Sequence, residues 1–236
     1  MLQIKSVRKT FNETVILQEI SLLCERGKIY GIMGRNGSGK SVLFKCICGF
    51  LEVDSGEIVL DDQVLSNGKM GNKRVGFIIE NPAFLPQYSG FQNLVMLYSI
   101  NNKTDTQVIK KYMSMVGLDP DDTKKVKKYS MGMKQRLAIA QAIMESPQLL
   151  ILDEPFNGLD KSGIEHIRKL LLELKKTTIV LLASHNKEDI NLLCDETFEL
   201  SEGLLRPVQK GRDSGHILDA FLRECLDHAP GNHLID

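Results

Sequence analysis

The sequence predicts an α/β fold in which helices cover both faces of a mostly parallel β-sheet. Four short apolar runs, at residues 29–33, 75–79, 149–152 and 179–182, have the length of buried strands. Segments with helical spacing of apolar residues lie between them, and strands that alternate with helices are typical of parallel sheets. A chain of 236 residues is long enough to bury a substantial core.

The N-terminal part of the chain predicts an antiparallel edge. Apolar and polar residues alternate over 2–8 and over 15–23, which is the pattern of strands with one buried face. Farther along, Gly56–Leu60 and Gln63–Leu65 flank Asp61 and Asp62 in the manner of a β-hairpin.

A helical insert interrupts the strand pattern. Apolar residues recur there at three- and four-residue spacing, as in Leu94, Leu97 and Tyr98. Asn81-Pro82 and Ser146-Pro147 supply plausible boundaries, because the residue before a proline disfavours helix. We therefore predict a core of residues 1–81 and 147–210 and a helical subdomain at residues 82–146.

Residues 211–236 predict a helical tail. The apolar side chains between His216 and His228 fall on one face of a helix: Ile217, Leu218, Phe221, Leu222, Cys225 and Leu226. Such a face packs either on its own domain or on a second copy or another partner.

Residues 34–41 read GRNGSGKS and match the phosphate-binding pattern G-x-x-x-x-G-K-[ST]. Gly34, Gly37 and Gly39 allow the tight turns that point backbone N–H groups at phosphate oxygens. Lys40 is placed to reach the β- and γ-phosphates, and the Ser41 hydroxyl is a ligand for Mg²⁺. The loop follows an apolar strand and precedes helical spacing, so the phosphates would lie at a helix N-terminus. The sequence therefore predicts a site for a nucleoside triphosphate and Mg²⁺.

Further motifs follow in a fixed order. Residues 130–136 read SMGMKQR, the run 149–152 leads into Asp153-Glu154-Pro155, and Gly158-Leu159-Asp160 comes next. The last apolar run ends at Ser184-His185. In this order and spacing the motifs resemble the ATP-binding domain of ATP-binding-cassette (ABC) transporters, over roughly residues 2–208.

The resemblance implies roles for individual residues. Glu154 corresponds to the general base, His185 to the histidine that contacts the γ-phosphate, and Asp160 to the residue that couples two sites across a dimer. Asp153 ends a strand where a carboxylate can hold Mg²⁺. The implied ATP-binding residues are Phe11, which would stack on adenine, and Gly34, Arg35, Asn36, Gly37, Ser38, Gly39, Lys40, Ser41 and Val42. The segment Ser130, Met131, Gly132 and Met133 resembles the signature that meets the ATP of the partner chain.

Glu80 departs from the pattern of the family. It follows the run 75–79, where most members have Gln, a residue that binds Mg²⁺ and the attacking water. A carboxylate can still ligate the metal, and it adds a negative charge there. We therefore expect Glu80 to act with Ser41 and Asp153 at the metal, and to contribute to catalysis.

Composition limits the partners. Lys and Arg number 30, as do Asp and Glu, so no basic field favours a nucleic-acid partner. The five cysteines (Cys24, Cys46, Cys48, Cys194, Cys225) lack zinc-site spacing, and buried reduced thiols of a cytosolic protein are the better interpretation. The N-terminus has no signal-peptide pattern and no run of 18 apolar residues occurs.

The expected protein is thus the ATP-hydrolysing subunit of a membrane transporter. We expect it in the cytoplasm, held on the inner face of the membrane by permease subunits on separate chains, with a second ATPase subunit, most simply as a homodimer. The segments VGFIIENPAF and YSMGMKQRL resemble bacterial ATPases of bacitracin resistance and lantibiotic immunity. The alternative is a soluble ABC-type ATPase that acts on nucleic acid or ribosomes. A small-molecule kinase would not need the residues of 130–135 or the Gly158-Leu159-Asp160 turn.

Overall fold

The computed structural model describes residues 1–65, 75–80 and 83–208. The predicted tail helix, with Cys225, and the boundary pair Asn81-Pro82 lie outside the described residues. Within the described part, no helix is both long enough and apolar enough to cross a membrane.

The described strands form two sheets. Their bounds are β1 Leu2–Phe11, β2 Thr14–Cys24, β3 Ile29–Met33, β4 Ser55–Leu60, β5 Gln63–Val64, β6 Val75–Ile78, β7 Leu149–Asp153, β8 Ile179–Ala183, β9 Glu196–Ser201 and β10 Leu204–Pro207. The larger sheet has the order β10-β9-β3-β8-β7-β6, and all its pairings are parallel except the one between β9 and β10. The smaller sheet, β2-β1-β4-β5, is antiparallel throughout. The predicted mostly parallel sheet and its antiparallel edge are confirmed.

The predicted hairpin joins β4 to β5. Asp61 and Asp62 have φ values of 44° and 65°, which is the left-handed pair required by a two-residue turn between antiparallel strands. The β9–β10 hairpin was not among the predicted strands. Its first strand, β9, reads ETFELS and has no continuous apolar run. The reason is its place near the edge of the sheet, where only one of its two neighbours is a buried strand.

Six helices accompany the strands in the described part of the chain: α1 Lys40–Ile47, α2 Gly90–Tyr98, α3 Thr106–Met115, α4 Met131–Ile143, α5 Lys161–Leu174 and α6 Lys187–Leu193. A short 3₁₀ turn at Val126–Lys128 precedes α4. Side chains cap several N-termini, for example Ser89 on α2, Ser130 on α4 and Asp160 on α5.

Two hydrophobic clusters cover the two faces of the larger sheet. Along β7, Leu150 and Leu152 belong to a cluster shared with the helices α2–α6, whereas Leu149 and Ile151 belong to a cluster shared with α1 and the antiparallel sheet. This alternation is the two-residue period of a strand that is buried on both sides.

Helix α4 lies directly on the edge strand β6. A Cβ atom added at Gly76 would lie 1.9 Å from the carbonyl oxygen of Ala142, so this approach excludes any larger residue. The helical segment thus shares a core with the sheet, which fixes α4 relative to the strand that leads to Glu80. The subdomain boundaries at residues 81–82 and 146–147 remain a prediction.

Candidate functional site

The predicted site residues follow the carboxyl ends of neighbouring parallel strands. The loop 34–39 follows β3 and Glu80 follows β6. Asp153 ends β7, Glu154 comes directly after it, and His185 follows β8. The carboxyl ends of parallel strands meet at one edge of a sheet, which is where open α/β sheets bind ligands.

The loop between β3 and α1 has the backbone that a phosphate cradle needs. Gly34, Gly37 and Gly39 have φ values of 155°, 80° and 105°, which favour glycine. At Gly34, a Cβ atom would also lie 2.5 Å from the carbonyl oxygen of Leu200 and from Oγ of Ser38. The loop conformation therefore requires glycine at position 34 and favours it at positions 37 and 39.

Lys40 is the first residue of α1 and crosses this loop. Its Nζ donates hydrogen bonds to the carbonyl oxygens of Gly34 and Arg35, at 2.7 and 3.1 Å. The first turn of α1 carries no acidic residue, and the buried Oγ of Ser38 has no hydrogen-bond partner. A cationic loop at a helix N-terminus, with an unused hydroxyl, fits the phosphates of a nucleotide.

Asp153 faces α1. The Ser41 hydroxyl donates a hydrogen bond to its Oδ2 at 3.0 Å. Burial raises the pKa of Asp153, Ser41 and Lys40 act in the opposite direction, and the charge of Glu80 raises it further. A hydroxyl and a carboxylate oxygen held together in this way are ligands that Mg²⁺ prefers.

Glu154 faces β8 instead. Its φ of 52° is left-handed, yet its backbone N–H still donates to the carbonyl oxygen of Ala183 at 2.9 Å. Its Oε1 accepts a hydrogen bond from the backbone N–H of His185, and its Oε2 lies 2.8 Å from Nδ1 of the same residue. A non-glycine residue in this conformation costs about 1–3 kcal/mol, so the surrounding contacts must hold it in place.

The backbone that carries His185 is itself fixed from the interior. Ser184 Oγ accepts from the backbone N–H of Asn186 at 3.1 Å and donates to Asp189 at 3.4 Å. Asp189 is paired with the buried Arg168 of α5. His185 remains largely exposed, with 73% of its side-chain surface accessible.

Glu80 also has a left-handed φ, of 64°. Its carboxylate is exposed and its Oε1 accepts from Lys45 Nζ at 2.5 Å. Glu80 therefore lies at the expected edge of the sheet, but its partner in this arrangement is a lysine that the sequence did not point to.

A cavity of about 610 Å³ lies at this edge of the sheet. Ten predicted residues line it: Phe11, Asn36, Gly37, Gly39, Lys40, Ser41, Val42, Glu80, Asp153 and Glu154. Ile16, Gln135 and Asn157 line it as well. The antiparallel sheet supplies the apolar Phe11 and Ile16, and α1 and the strand ends supply the polar groups, so the volume and chemistry suit a nucleotide. Gly34, Arg35, Ser38 and His185 are not among the residues that line it.

The signature residues form a separate surface. Ser130 caps α4 by accepting from the backbone N–H of Met133 at 3.2 Å. Gly132 abuts the Gly158 turn: a Cβ atom there would lie 2.7 Å from the Gly158 carbonyl oxygen. Met131 is exposed, at 66% of its surface.

Asp160 adjoins this surface and caps α5, and Arg136 of α4 lies 3.6 Å from it. The Ser162 hydroxyl, with smaller help from the Gly163 N–H, lowers the pKa of Asp160. In a single chain, residues 130–133 and Asp160 do not line the cavity.

Of the residues that the sequence analysis missed, only Lys45 has a local signal in the sequence. Ile16 enters the cavity because the β1–β2 register pairs Phe11 with Thr14. Lys45 could have been found as the residue one helical turn after Ser41 on the same face of α1. Nothing in the sequence marks Gln135 or Asn157 as lining this cavity.

Comparison with known proteins identifies a family and several relatives of this chain. The family model described as "ABC transporter" matches residues 17–157. An uncharacterized ABC transporter ATP-binding protein of Bacillus subtilis, YybJ, is 40% identical over 89% of this chain and 97% of its own length. The bacitracin transport ATP-binding protein BcrA of Enterococcus faecalis is 36% identical, over 87% of this chain and 68% of its own. The lantibiotic transport ATP-binding protein SrtF of Streptococcus pyogenes is 32% identical, over 96% and 98%.

Solved structures show the same fold. The dimeric bacterial ABC transporter cassette MJ0796 superposes with a TM-score of 0.79 at 23% identity, over 89% of this chain and all of that one. The predicted α/β fold with its helical segment is thereby confirmed.

Proposed function

The chain belongs to the ABC transporter family as an ATP-binding ATPase subunit, and from this premise we propose that it powers export of a peptide antibiotic through separate permease subunits. The observation that carries the enzymatic part is the cavity in which the phosphate loop, Ser41–Asp153 and Glu154 meet. The similarity to BcrA and SrtF supports the choice of cargo.

In the proposed mechanism the loop 34–39 and Lys40 bind the phosphates, and Phe11 stacks on the adenine. Ser41 and Asp153 would hold Mg²⁺, with Glu80 at the edge of its site. When bound, the ion neutralises phosphate charge and orients the terminal phosphoryl group. Among the described residues no three acidic, His or Cys side chains converge as a metal cage. Mg²⁺ keeps several waters and takes few protein ligands, so the Ser41 hydroxyl and the Asp153 carboxylate are a sufficient set.

Glu154 is proposed as the general base. Its carboxylate lines the cavity and is aimed by two contacts to His185. It would accept a proton from the attacking water, while His185 would contact the terminal phosphate.

A second copy of the chain is the proposed dimer partner. Ser130, Met131, Gly132 and Met133 do not line the cavity of their own chain, and Ser130 and Met131 are exposed. Two chains related by a twofold axis could each present this surface to the other's nucleotide, with Asp160 beside it as the coupling residue. The dimeric state of MJ0796 supports this arrangement.

The membrane role needs a direct test. The tagged chain should be expressed with its genomic neighbours and purified in detergent, where we expect a polytopic membrane protein to copurify. Deletion of the gene should lower the concentration of bacitracin or a lantibiotic that stops growth. Copurified ribosomes or DNA without a membrane protein would support the soluble alternative instead.

Binding tests the site itself. Purified protein should bind ATP, and the Lys40→Ala variant should lose at least about tenfold in affinity because a charge-assisted contact to phosphate is removed. Lys110→Ala is a suitable control, since Lys110 pairs with Asp121 on the surface. Equal affinity of the parent and Lys40→Ala would contradict the proposed phosphate site.

A further inference from the structure

One face of α1 contacts two carboxylates of the cavity. Ser41 and Lys45 are four residues apart, so they lie on the same side of the helix. Ser41 donates to Asp153 at 3.0 Å, and one turn later Lys45 pairs with Glu80. Because β6 and β7 are adjacent parallel strands, the two contacts lie side by side across the strand ends.

The charges at this end of the cavity are unbalanced without Lys45. Three of the described residues that line the cavity are acidic, namely Glu80, Asp153 and Glu154. One of the described lining residues, Lys40, is cationic. Glu80 and Asp153 follow adjacent parallel strands and line the same cavity, so their negative charges lie near each other at the strand ends. A nucleotide brings further negative charge, so an uncompensated Glu80 would oppose its binding.

We propose that Lys45 is a positioning residue that neutralises Glu80 and holds it at the edge of the metal site, and thereby sets the Mg²⁺ requirement for nucleotide binding. This inference rests on the proposed Mg²⁺-dependent ATP site. Lys45 itself does not line the cavity, and it acts through Glu80.

Stability alone does not account for the pair. The Glu80 side chain is 63% exposed, and exposed ion pairs contribute about 0–1 kcal/mol. Lys110 and Asp121 form a surface pair of similar length, 2.6 Å, and neither of these two residues lines the cavity. The Lys45–Glu80 pair differs from it in location, next to Asp153.

The test is a double-mutant cycle of Lys45→Met, Glu80→Gln and the combined variant. Binding of a fluorescent ATP analogue is measured in EDTA and then against Mg²⁺ concentration, at low salt. Lys45→Met should weaken metal-free binding by about three- to tenfold and lower the half-saturating Mg²⁺ concentration by a similar factor, because a free negative charge remains. Glu80→Gln should change both quantities in the opposite direction.

The combined variant decides the outcome. It restores charge balance, so both quantities should return to within about twofold of the parent. Lys45→Arg, which keeps the charge, should match the parent, and the Lys110→Met and Asp121→Asn pair should show no Mg²⁺ effect. A combined variant that keeps the full loss of Lys45→Met, or unchanged binding in both single variants, would overturn the inference. A parent protein that binds no ATP with Mg²⁺ would instead overturn the proposed function.

Discussion

Asp153 and Glu154 are neighbours in the chain, but they belong to two different sides of the cavity. Asp153 faces α1, is held by the Ser41 hydroxyl, and is partly buried, which raises its pKa. Glu154 faces β8, is held by His185, and has a left-handed backbone. One residue step at a strand end thus separates the carboxylate that we propose as a metal ligand from the one that we propose as the base.

The backbone conformation of Glu154 explains how this is possible. Its N–H continues the pairing of β7 with β8, so the sheet supports the chain while the φ of 52° redirects the side chain. The two sides can therefore be perturbed separately, by substitution of Glu154 or His185 on one side and of Asp153 on the other.

The largest expected effect is on the β8 side. Glu154→Gln keeps the shape and removes the base, so turnover should fall by about 100-fold or more while ATP affinity changes little. The trapped ATP should also hold two chains together, which size-exclusion chromatography with Mg-ATP would detect. Glu165→Gln, on the exposed face of α5, is the control. Turnover near that of the parent would remove Glu154 from the mechanism.

His185→Ala should have the next largest effect on turnover. It removes the ring contact to Glu154 but leaves the backbone N–H contact in place, so we expect a loss of about 10–100-fold. Steady-state ATPase assays should show partial recovery in His185→Gln, whose amide can donate to Oε2. Full activity in His185→Ala would show that the pair has no part in turnover.

Asp153→Asn tests the α1 side. The amide oxygen can still accept from Ser41, but the charge that attracts the metal is lost. The Mg²⁺ concentration for half-maximal nucleotide binding should rise by about tenfold, with metal-free binding unchanged or tighter. Titration with Mg²⁺ measures both, and an unchanged Mg²⁺ dependence would exclude Asp153 as a ligand.

The smallest effect concerns stability without nucleotide. The raised pKa of Asp153 means that the folded state disfavours its charge, so this cost exists at pH 7 and fades as pH falls through the folded pKa. Asp153→Asn should therefore melt higher than the parent by about 1–3 °C at pH 7, with a smaller difference near pH 4.

The pKa of Asp61 is shifted in the opposite direction from that of Asp153. Thermal unfolding measured at several pH values tests both predictions. The Arg26 guanidinium, with smaller help from the N-terminal amine, lowers the pKa of Asp61 to about 2. Its stabilisation is complete above the ordinary value of 3.8 and is lost only as pH falls from there towards about 2. Asp61→Asn should melt lower than the parent by a constant amount from pH 7 to about pH 4.5. If the difference in melting temperature between Asp61→Asn and the parent changed within this pH range, a lowered pKa of Asp61 would be contradicted.

Local sequence determined much of the fold and the polar end of the site. Buried strands appear as apolar runs, and the loop 34–41 needs glycine for its backbone and Lys40 and Ser41 for its ligand, so these are visible without a structure. Parallel strands then bring Asp153 and His185 to one edge, because their carboxyl ends must meet there.

Only the tertiary structure decided which side chains meet. The pairings of Glu80 with Lys45 and of Glu154 with His185 join residues 35 and 31 positions apart, and they depend on strand order, helix rotation and left-handed backbone at both glutamates. Ile16 and Gln135 likewise enter the cavity through strand register and the packing of α4 on Gly76. A sequence specifies local conformation through short-range sterics and periodicity, whereas these contacts follow from how distant elements pack.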